Sequence, residues 1–406
     1  MAMTTLTPLS AAEVLSAVQW AVAEEQPLEI VGHGSKRAIG KPVQAAHTLD
    51  LSRLTGVTLY EPEELVLSAR AGTPLAEIEA MLAARNQELA FEPIDYGPLL
   101  GAERGPAGNS GTIGGVLAAN LSGPRRLKAG AARDHILGVH AVSGRGEAFK
   151  SGGRVVKNVT GYDLSKGLAG SWGTLAVVTD LTFKVLPAAE TETTLAVRGL
   201  LDEDAVRAMA LGMGSSAEVS GAAHLPYGVA ARVAAGALGN DAATLLRVEG
   251  FGPSVVARVA HLKRLLAAAG PIEEIDRDAS QAIWRDVRDA IPFADGTDRP
   301  VWRISMPPSD GHAMIYALRK EVAAEAFYDW QGGLIWLKFD DDPEADLVRR
   351  LVRDHGGGHA TLVRAAPALR GAVTAFPPQT GALAALSARL KNEFDPKGML
   401  NPGRMG

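Results

Sequence analysis

Residues 32–36 read GHGSK and directly follow Leu28–Val31, an apolar run that is typical of a buried strand. Glycines, a hydroxyl and a lysine at the end of a strand offer backbone N–H groups and a positive charge to an anion. Two common phosphate patterns do not fit. A dinucleotide fingerprint from Gly32 needs glycine at position 37, and a Walker A loop needs glycine and lysine at positions 37 and 38. The chain has Arg37 and Ala38 there, so the loop predicts an anion site and disfavours a Rossmann NAD enzyme.

A second stretch of small residues is GPAGNSGTIGGVLAANLSG, residues 105–123. Small residues at 108–112 precede an apolar run that is typical of a helix, with Gly114 and Gly115 in its first turn. The start of a helix carries unpaired N–H groups and a positive dipole end, and glycines let a ligand approach the backbone closely. This pattern predicts an anion-binding helix start. The alternative is a glycine-rich turn that only packs tightly.

Two further glycine loops, at residues 161–163 and 170–174, flank a short segment and lead into a long strand. A structural protein has little reason for three such sites in one domain. Together, the three loops predict a site for a long, thin ligand that carries two charges.

The loops lie in a strand-rich and glycine-rich part of the chain that ends at a boundary at Pro187. Its first hundred residues suggest a small α/β subdomain, and the short segments that alternate with glycine after residue 101 predict antiparallel strands. Residues 190–375 alternate helices and strands, which predicts a second domain of α+β type. A last helix then carries an apolar face of Leu383, Leu386, Leu390 and Phe394.

The composition is that of a soluble globular protein, since 47% of the 406 residues are hydrophobic and 21% are charged. The length predicts two or three domains. A net charge of -5 argues against nucleic-acid binding, and no apolar run approaches the roughly 20 residues of a transmembrane segment. The N-terminal stretch reads as a capped helix rather than a signal peptide. The chain has no cysteine, which excludes disulfides, cysteine-held iron–sulfur clusters and a cysteine-linked cofactor.

From about residue 10 to residue 187, the chain resembles the FAD-binding domain of the vanillyl-alcohol-oxidase superfamily, also called the PCMH-type domain. The resemblance is carried, in order, by GHGSK, SGTIGGVLAAN, RDHILGV, VKNVTGYDLSKGLAGSWGTLAVVT and the tail FDPKGMLNPGRM. Within the superfamily, the chain is most similar to the FAD-binding E subunits of bacterial glycolate oxidases, through the segments GGRVVKNVTGYD, SGPRR, VWRISMPP and DWQGGLIWL.

The resemblance implies an α+β protein of three parts. Residues 1–187 would form a PCMH-type FAD-binding domain of two subdomains, and residues 188–376 a smaller α+β cap domain for a substrate or a partner. Residues 377–406 would form a C-terminal helix and tail that pack back on the FAD domain.

The resemblance also implies that the anion is FAD. Its pyrophosphate and ribityl chain would meet two groups of residues, Gly32, His33, Gly34, Ser35 and Lys36, and Ser110, Thr112, Gly114 and Gly115, with Ala118 and Asn120 nearby. Its adenosine end would be lined by Gly161, Gly173, Thr174 and Val178, with support from Tyr162 and Asp163.

The flavin is expected to be non-covalent. In covalent members of the superfamily, the flavin-linked histidine falls at the position of Ser35. His33 lies two residues earlier and does not match that histidine, and the arginine that the superfamily places before the first glycine is replaced by Val31.

The second domain lacks the HxGDGN-like motif of catalytic relatives that act on 2-hydroxy acids. The segment HGGGHA, residues 355–360, has two histidines four apart, but the three glycines between them disfavour a helix that would bring both to one metal. No metal is therefore expected. Arg285 and Arg303, next to Trp284 and Trp302, are candidates to clamp a substrate carboxylate; the alternative is an interface or structural role.

Two functions follow from the resemblance. The first is oxidation of glycolate, or of a related small 2-hydroxy acid, in a complex with a catalytic FAD-bearing sister subunit and an iron–sulfur subunit. The second is a flavin-bearing assembly or electron-relay subunit with no substrate chemistry of its own, which the missing histidine motif favours. In either case the protein is expected in the cytoplasm, or at the inner face of the membrane through its partner subunits.

Overall fold

The computed structural model describes residues 4–102, 110–154 and 162–405. The chain divides into two compact units. The first unit comprises Met1–Ser122, Ala129–Pro187 and Pro378–Gly406, and the second comprises Gly123–Lys128 and Ala188–Pro377. The short segment 123–128 thus belongs to the second unit, although the chain on both sides of it belongs to the first.

The elements up to residue 187 are β1 (Thr4–Leu6), α1 (Ala11–Ala23), β2 (Leu28–Val31), β3 (His47–Asp50), β4 (Val57–Glu61), β5 (Val66–Arg70), α2 (Leu75–Ala83), β6 (Gln87–Glu88), α3 (Gly97–Leu100), α4 (Ile113–Ala118), α5 (Arg126–Ala129), α6 (Ala132–His135), β7 (Ile136–Ser143), β8 (Ala148–Gly152), α7 (Leu164–Leu168), β9 (Ala176–Lys184) and β10 (Leu186–Pro187). The second unit continues with β11 (Thr191–Arg198), α8 (Asp202–Met213), β12 (Gly221–Leu225), β13 (Ala243–Gly250), α9 (Gly252–Leu265), β14 (Ile272–Ile275), α10 (Arg277–Arg288), β15 (Val301–Ser305), α11 (Gly311–Leu318), β16 (Glu325–Asp329), β17 (Leu334–Lys338), α12 (Ala345–Asp354), β18 (His359–Arg364) and α13 (Pro367–Ala372). Helix α14 (Gly381–Phe394) follows in the first unit, and short 3-10 turns lie at Ala230–Arg232, Ala234–Gly236, Ile291–Phe293 and Trp330–Gly332.

Two main sheets build the first unit. Strands β1, β3 and β2 pair in parallel, and α1 packs Val14 and Val18 against Leu28 and Leu49 of this sheet. The other main sheet is antiparallel, in the order β4-β5-β9-β7-β8. The prediction of antiparallel strands after residue 101 is therefore confirmed for β7, β8 and β9.

The tail of the chain returns to the parallel sheet. Leu400 forms an isolated parallel bridge with Leu28, and the Asn401 N–H donates to the Leu28 carbonyl at 3.0 Å. Helix α14 itself has no buried residue, and the three leucines of its predicted apolar face are exposed: Leu383, Leu386 and Leu390. The buried part of the C-terminal segment is therefore the tail rather than the helix.

The second unit is built on one antiparallel sheet of eight strands, in the order β14-β11-β13-β12-β16-β17-β15-β18. One face of this sheet carries two apolar cores, one with α8 and α9 and the other with α11 and α12. Helix α10 packs on the opposite face, where Ser280 and Trp284 contact Thr194 of β11. Antiparallel strands with helices packed against the sheet make this unit α+β, as predicted. Within the described residues, no helix has both the length and the apolarity that crossing a membrane requires.

A buried histidine joins α8 to the sheet. His224 is fully buried; its Nδ1 lies 2.9 Å from the Thr244 hydroxyl and its Nε2 lies 3.4 Å from Asp202. Asp202 also accepts hydrogen bonds from the Tyr328 hydroxyl at 2.7 Å and from Arg319 at 3.1 Å. Burial by itself would raise the pKa of Asp202, but the hydrogen bonds from His224 and Tyr328 and the charge of Arg319 lower it to about 2.

This lowered pKa makes the stability of the second unit depend on pH. The pKa of Asp202 lies below its usual value of 3.8, so its contribution to stability is complete above pH 4 and is lost as the pH falls toward 2. We expect Asp202→Asn to lower the free energy of unfolding at pH 6 by about 2 kcal/mol, and this difference to shrink toward pH 2. Urea unfolding followed by tryptophan fluorescence measures this, because four of the six tryptophans lie in the second unit.

The control for this prediction is Asp204→Asn, which removes a carboxylate from the same helical turn. Asp204 is exposed and only contacts Arg207 on its own helix. We expect this variant to unfold like the wild type at pH 6. Equal stability of Asp202→Asn and the wild type at pH 6 would contradict the role given to the buried network.

Candidate functional site

Two adjoining clefts in the first unit bring together most of the residues predicted to hold the cofactor. The clefts contain about 490 and 550 Å³ of empty space and lie between the loop after β2, the start of α4, the loop before β9 and the tail. The predicted residues that line them are Gly32, His33, Gly34, Ser35, Lys36, Thr112, Gly114, Gly115, Ala118, Gly173 and Val178.

The GHGSK loop folds as a tight turn at the end of β2. Gly34 has a positive φ of 72°, which glycine adopts without strain, and its carbonyl accepts a hydrogen bond from the Arg37 N–H at 2.9 Å. A Cβ atom at Gly32 would lie 2.5 Å from the Thr112 hydroxyl, so glycine is needed there for the loop to pass the start of α4.

The same loop presents unused hydrogen-bond donors. Within the part of the chain that the structure describes, no acceptor takes a hydrogen bond from the backbone N–H groups of residues 33–36. Backbone N–H groups are rarely left without a partner in folded proteins. Successive donors of this kind, in a turn with a positive φ, form an anion-binding concavity.

Lys36 adds a positive charge to these donors. Its Nζ lies 3.2 Å from the Ser35 hydroxyl, and a Cβ atom at Gly115 would lie 3.2 Å from the same Nζ. The ammonium group thus lies at the first turn of α4, beside the positive end of that helix. Burial lowers the pKa of Lys36 to about 8, against the opposing charge of Asp95. An anion at this point would be attracted by the lysine.

The start of α4 corrects one expectation from the sequence. The N–H groups of its first turn are not free for a ligand, because Ile113 donates to the Thr73 carbonyl, Gly114 to the Ala71 carbonyl and Gly115 to the Thr112 hydroxyl. Packing also explains why residue 114 is a glycine, since a Cβ atom there would lie 2.8 Å from the Ala71 carbonyl oxygen. The donors for an anion are therefore those of the GHGSK loop.

The tail closes the clefts with residues that the sequence analysis did not identify as site residues. The Asn401 side chain accepts a hydrogen bond from the Ile30 N–H and donates one to the Trp172 carbonyl, both at 2.8 Å. The buried Arg404 donates to the carbonyls of Lys36 and Arg37, at 3.4 and 3.1 Å. The resemblance carried by FDPKGMLNPGRM implied a tail that packs back on the FAD domain, but not which of its residues would line the clefts.

Gly173 lies where the tail meets the cleft. Its φ is +68°, and a Cβ atom there would lie 2.9 Å from the side-chain nitrogen of Asn401. A glycine is therefore needed at this position both for the backbone conformation and for the contact with the tail.

Five predicted cofactor residues do not line the clefts, and Gly161 lies outside the described residues. Ser110 is buried against the carboxylate of Asp95. Asn120 accepts a hydrogen bond from the Arg133 N–H of α6. Thr174 donates to the Ser171 carbonyl, Asp163 caps α7 through the Lys166 N–H, and Tyr162 is 91% exposed.

The two arginines proposed for a carboxylate lie in different surroundings in the second unit. Arg285 is exposed on α10, whereas the neighbouring Trp284 is buried. Arg303 is half-buried, and its guanidinium carbon lies 4.8 Å from the ring centre of Trp330. Among the described residues, no group of three or more histidine and acidic side chains is arranged to hold a metal ion.

Comparisons with known proteins show what the whole chain is similar to. An FAD binding domain family matches residues 4–152. The sequence is 35% identical over 395 residues to the glycolate oxidase subunit GlcE of Escherichia coli strain K12, which covers 97% of this chain and 96% of GlcE. It is 32% identical over 168 residues to the glycolate oxidase subunit GlcD of Bacillus subtilis strain 168, which covers 41% of this chain and 32% of GlcD.

The fold is also that of solved structures. The chain superimposes on p-cresol methylhydroxylase with a TM-score of 0.72 and 13% identity, over 100% of this chain and 91% of the other. At this identity the likeness concerns the fold alone, and it confirms the predicted PCMH-type fold.

Proposed function

We propose, since this chain belongs to the family of the glycolate oxidase subunit GlcE, that it is the FAD-binding subunit of a complex that oxidises glycolate, or a related small 2-hydroxy acid, to the 2-oxo acid. The observation that carries the cofactor assignment is the group of unused N–H donors at residues 33–36, next to the Lys36 ammonium group. A pyrophosphate is the part of FAD that needs such donors.

The residues around the clefts fit the parts of FAD. The GHGSK loop and Lys36 would hold the pyrophosphate, with Thr112 and Gly115 beside it. The loop at Gly173 and the start of β9, with Val178, would line the more apolar of the two clefts. When bound, FAD supplies the acceptor for the hydride that leaves the α-carbon of the hydroxy acid. The work of this unit is to bind and orient the cofactor.

We expect the FAD to be bound without a covalent link. Ser35 stands where covalent relatives have the linking histidine, and the chain has no cysteine. Acid precipitation of the purified chain should therefore release the yellow chromophore to the supernatant. His33 is exposed and lines the cleft, so it is the side chain to test if colour stays in the pellet. Colour that stays in the wild-type pellet would contradict non-covalent binding, and its release in His33→Ala would identify His33 as the linked residue.

The partners that we propose are a catalytic FAD-bearing sister subunit and an iron–sulfur subunit. A chain without cysteine holds no cysteine-ligated cluster to take electrons singly from a reduced flavin. Any attachment to the inner face of a membrane would come from these partners. The second candidate function, a flavin-bearing assembly or electron-relay subunit, is supported by the missing HxGDGN-like motif in the second unit.

A further inference from the structure

Three separate sequence segments of the second unit meet at one tryptophan. Trp330 lies in DWQGGLIWL, Arg303 in VWRISMPP, and Gly123 and Arg126 in SGPRR. The guanidinium carbons of Arg126 and Arg303 lie 4.9 and 4.8 Å from the ring centre of Trp330, and its indole N–H donates to the Gly123 carbonyl at 3.0 Å. Trp330 is therefore a buried platform that two arginines contact.

The turn that carries this platform has an unusual backbone. Trp330 and Gln331 have positive φ angles of 51° and 63°, and Gly332 follows with 97°. Left-handed backbone in residues other than glycine is unfavourable, and it persists where the surroundings fix it and often where a site needs it. Here the Asp329 carboxylate accepts the Trp330 N–H at 2.7 Å and holds the turn.

Two other arginines of the second unit pair with carboxylates, whereas Arg303 does not. Arg125 forms a two-fold ion pair with Glu249, at 2.7 and 2.8 Å, and Arg364 contacts Asp295 at 3.1 Å. Within the described residues, no oxygen accepts a hydrogen bond from Arg303, and no carboxylate pairs with it. A half-buried guanidinium without an acceptor is ready to bind a carboxylate through two parallel hydrogen bonds.

The strand register places a histidine on the same face of the sheet as Arg303. In the pairing of β15 with β18, Arg303 is opposite Thr361 and Ser305 is opposite His359. Side chains of directly opposed residues share a face, so Arg303 and His359 are diagonal neighbours, with Cα atoms roughly 7–8 Å apart. Gly358 makes this approach feasible, since a Cβ atom there would lie 2.3 Å from the Ser305 carbonyl oxygen.

We propose that Arg303 and His359, beside the Trp330 platform, form a binding site for a small 2-hydroxy acid. Arg303 holds the carboxylate, Trp330 and Arg126 fix the position of Arg303, and the His359 imidazole takes the 2-hydroxyl group. This inference rests on the proposed function, because it places the substrate class on this chain. All of the residues of this site belong to the second unit.

Isothermal titration calorimetry on the purified chain with its FAD tests this site, with glycolate, acetate and sulfate as ligands. We expect glycolate to bind more tightly than acetate, and both more tightly than sulfate. Arg303→Gln should lower the affinity for glycolate about tenfold or more, because two parallel hydrogen bonds from a charged donor are lost. His359→Gln should lower the affinity for glycolate to that for acetate and leave acetate unchanged.

The matched control is Arg299→Gln, an arginine just before β15 that is half-exposed and paired with Asp340. It should bind glycolate like the wild type. Arg303→Lys keeps the charge but loses the planar guanidinium group. This variant replaces Arg303→Gln in the test if Arg303→Gln does not fold. Retained FAD content and circular dichroism show which variants are folded.

The outcomes separate this inference from the proposed function. No glycolate binding to the wild type, unchanged binding in both Arg303 variants, or sulfate binding as tight as glycolate would overturn the site. If the assembled complex still oxidises glycolate in those cases, the proposed function stands without it. If the chain binds glycolate through Arg303 but the complex oxidises no 2-hydroxy acid, the site stands and the proposed function falls.

Discussion

Replacing Lys36 with glutamate should leave the purified chain without FAD. Its affinity for FAD should fall about a hundredfold or more. Lys36 is the positive charge next to the unused N–H groups of residues 33–36, and a carboxylate there would repel the pyrophosphate. The measurement is the ratio of flavin absorbance to protein after purification, followed by titration of the FAD-free chain with FAD.

Two variants control for other causes of flavin loss. Lys41→Glu makes the same charge change five residues later, outside the residues that line the clefts, and should keep its FAD. Lys36→Met removes the charge without adding a carboxylate near Asp95. It should lower the affinity for FAD about tenfold. Flavin content equal to wild type in both Lys36 variants would refute the pyrophosphate assignment.

The titration of Lys36 gives this assignment a second readout. With a pKa of about 8 in the FAD-free chain, Lys36 is charged below pH 8 and loses its proton above it. A bound pyrophosphate would hold the proton, so FAD affinity should fall as the pH rises above 8. Lys36→Met should lose this pH dependence.

Glycolate mixed anaerobically with the lone FAD-loaded chain should leave the flavin oxidised. Hydride removal needs a base within about 2.6–3.2 Å of the substrate hydroxyl. The second unit lacks the histidine motif of its catalytic relatives, and His359, which is the histidine beside Arg303 in the strand register, is exposed. Flavin absorbance followed for seconds to minutes by stopped flow measures this, and reduction should follow addition of the partner subunits.

The contrary result is equally informative. Bleaching of the flavin within seconds, without partners, would show that the chain contains a complete active site. It would also end the hypothesis of an assembly or electron-relay subunit without substrate chemistry. In that case His359→Gln should slow the bleaching, whereas Asp204→Asn, far along the chain on α8, should not.

Local chemistry made part of the site predictable. The GHGSK loop is defined by neighbours in sequence, because the strand, the two glycines and the lysine that form this turn are adjacent in the chain. The helix start at Gly114 and Gly115 was predicted less well. Its N–H groups are occupied by the carbonyls of Ala71 and Thr73, some forty residues away in the chain. No periodicity of the sequence indicates such a partner.

Distant contacts explain the other differences between prediction and structure. Arg303 follows Trp302 in sequence, but alternate residues of a strand point to opposite faces of a sheet. Trp302 is therefore in the apolar core with α11 and α12, and Arg303 contacts Trp330 instead. Period-two alternation could have shown that the two side chains diverge, but not which tryptophan Arg303 would contact.

The tail that closes the FAD clefts has a consequence for the biosynthesis of the protein. Asn401 bonds to Ile30, 371 positions earlier, and Arg404 bonds to Lys36, 368 positions earlier. The ribosome thus makes the loop after β2 long before the residues that secure it. A nascent chain that lacks the tail has neither the Asn401 nor the Arg404 contact, so its clefts are incomplete. Completion of the clefts therefore depends on synthesis of the tail.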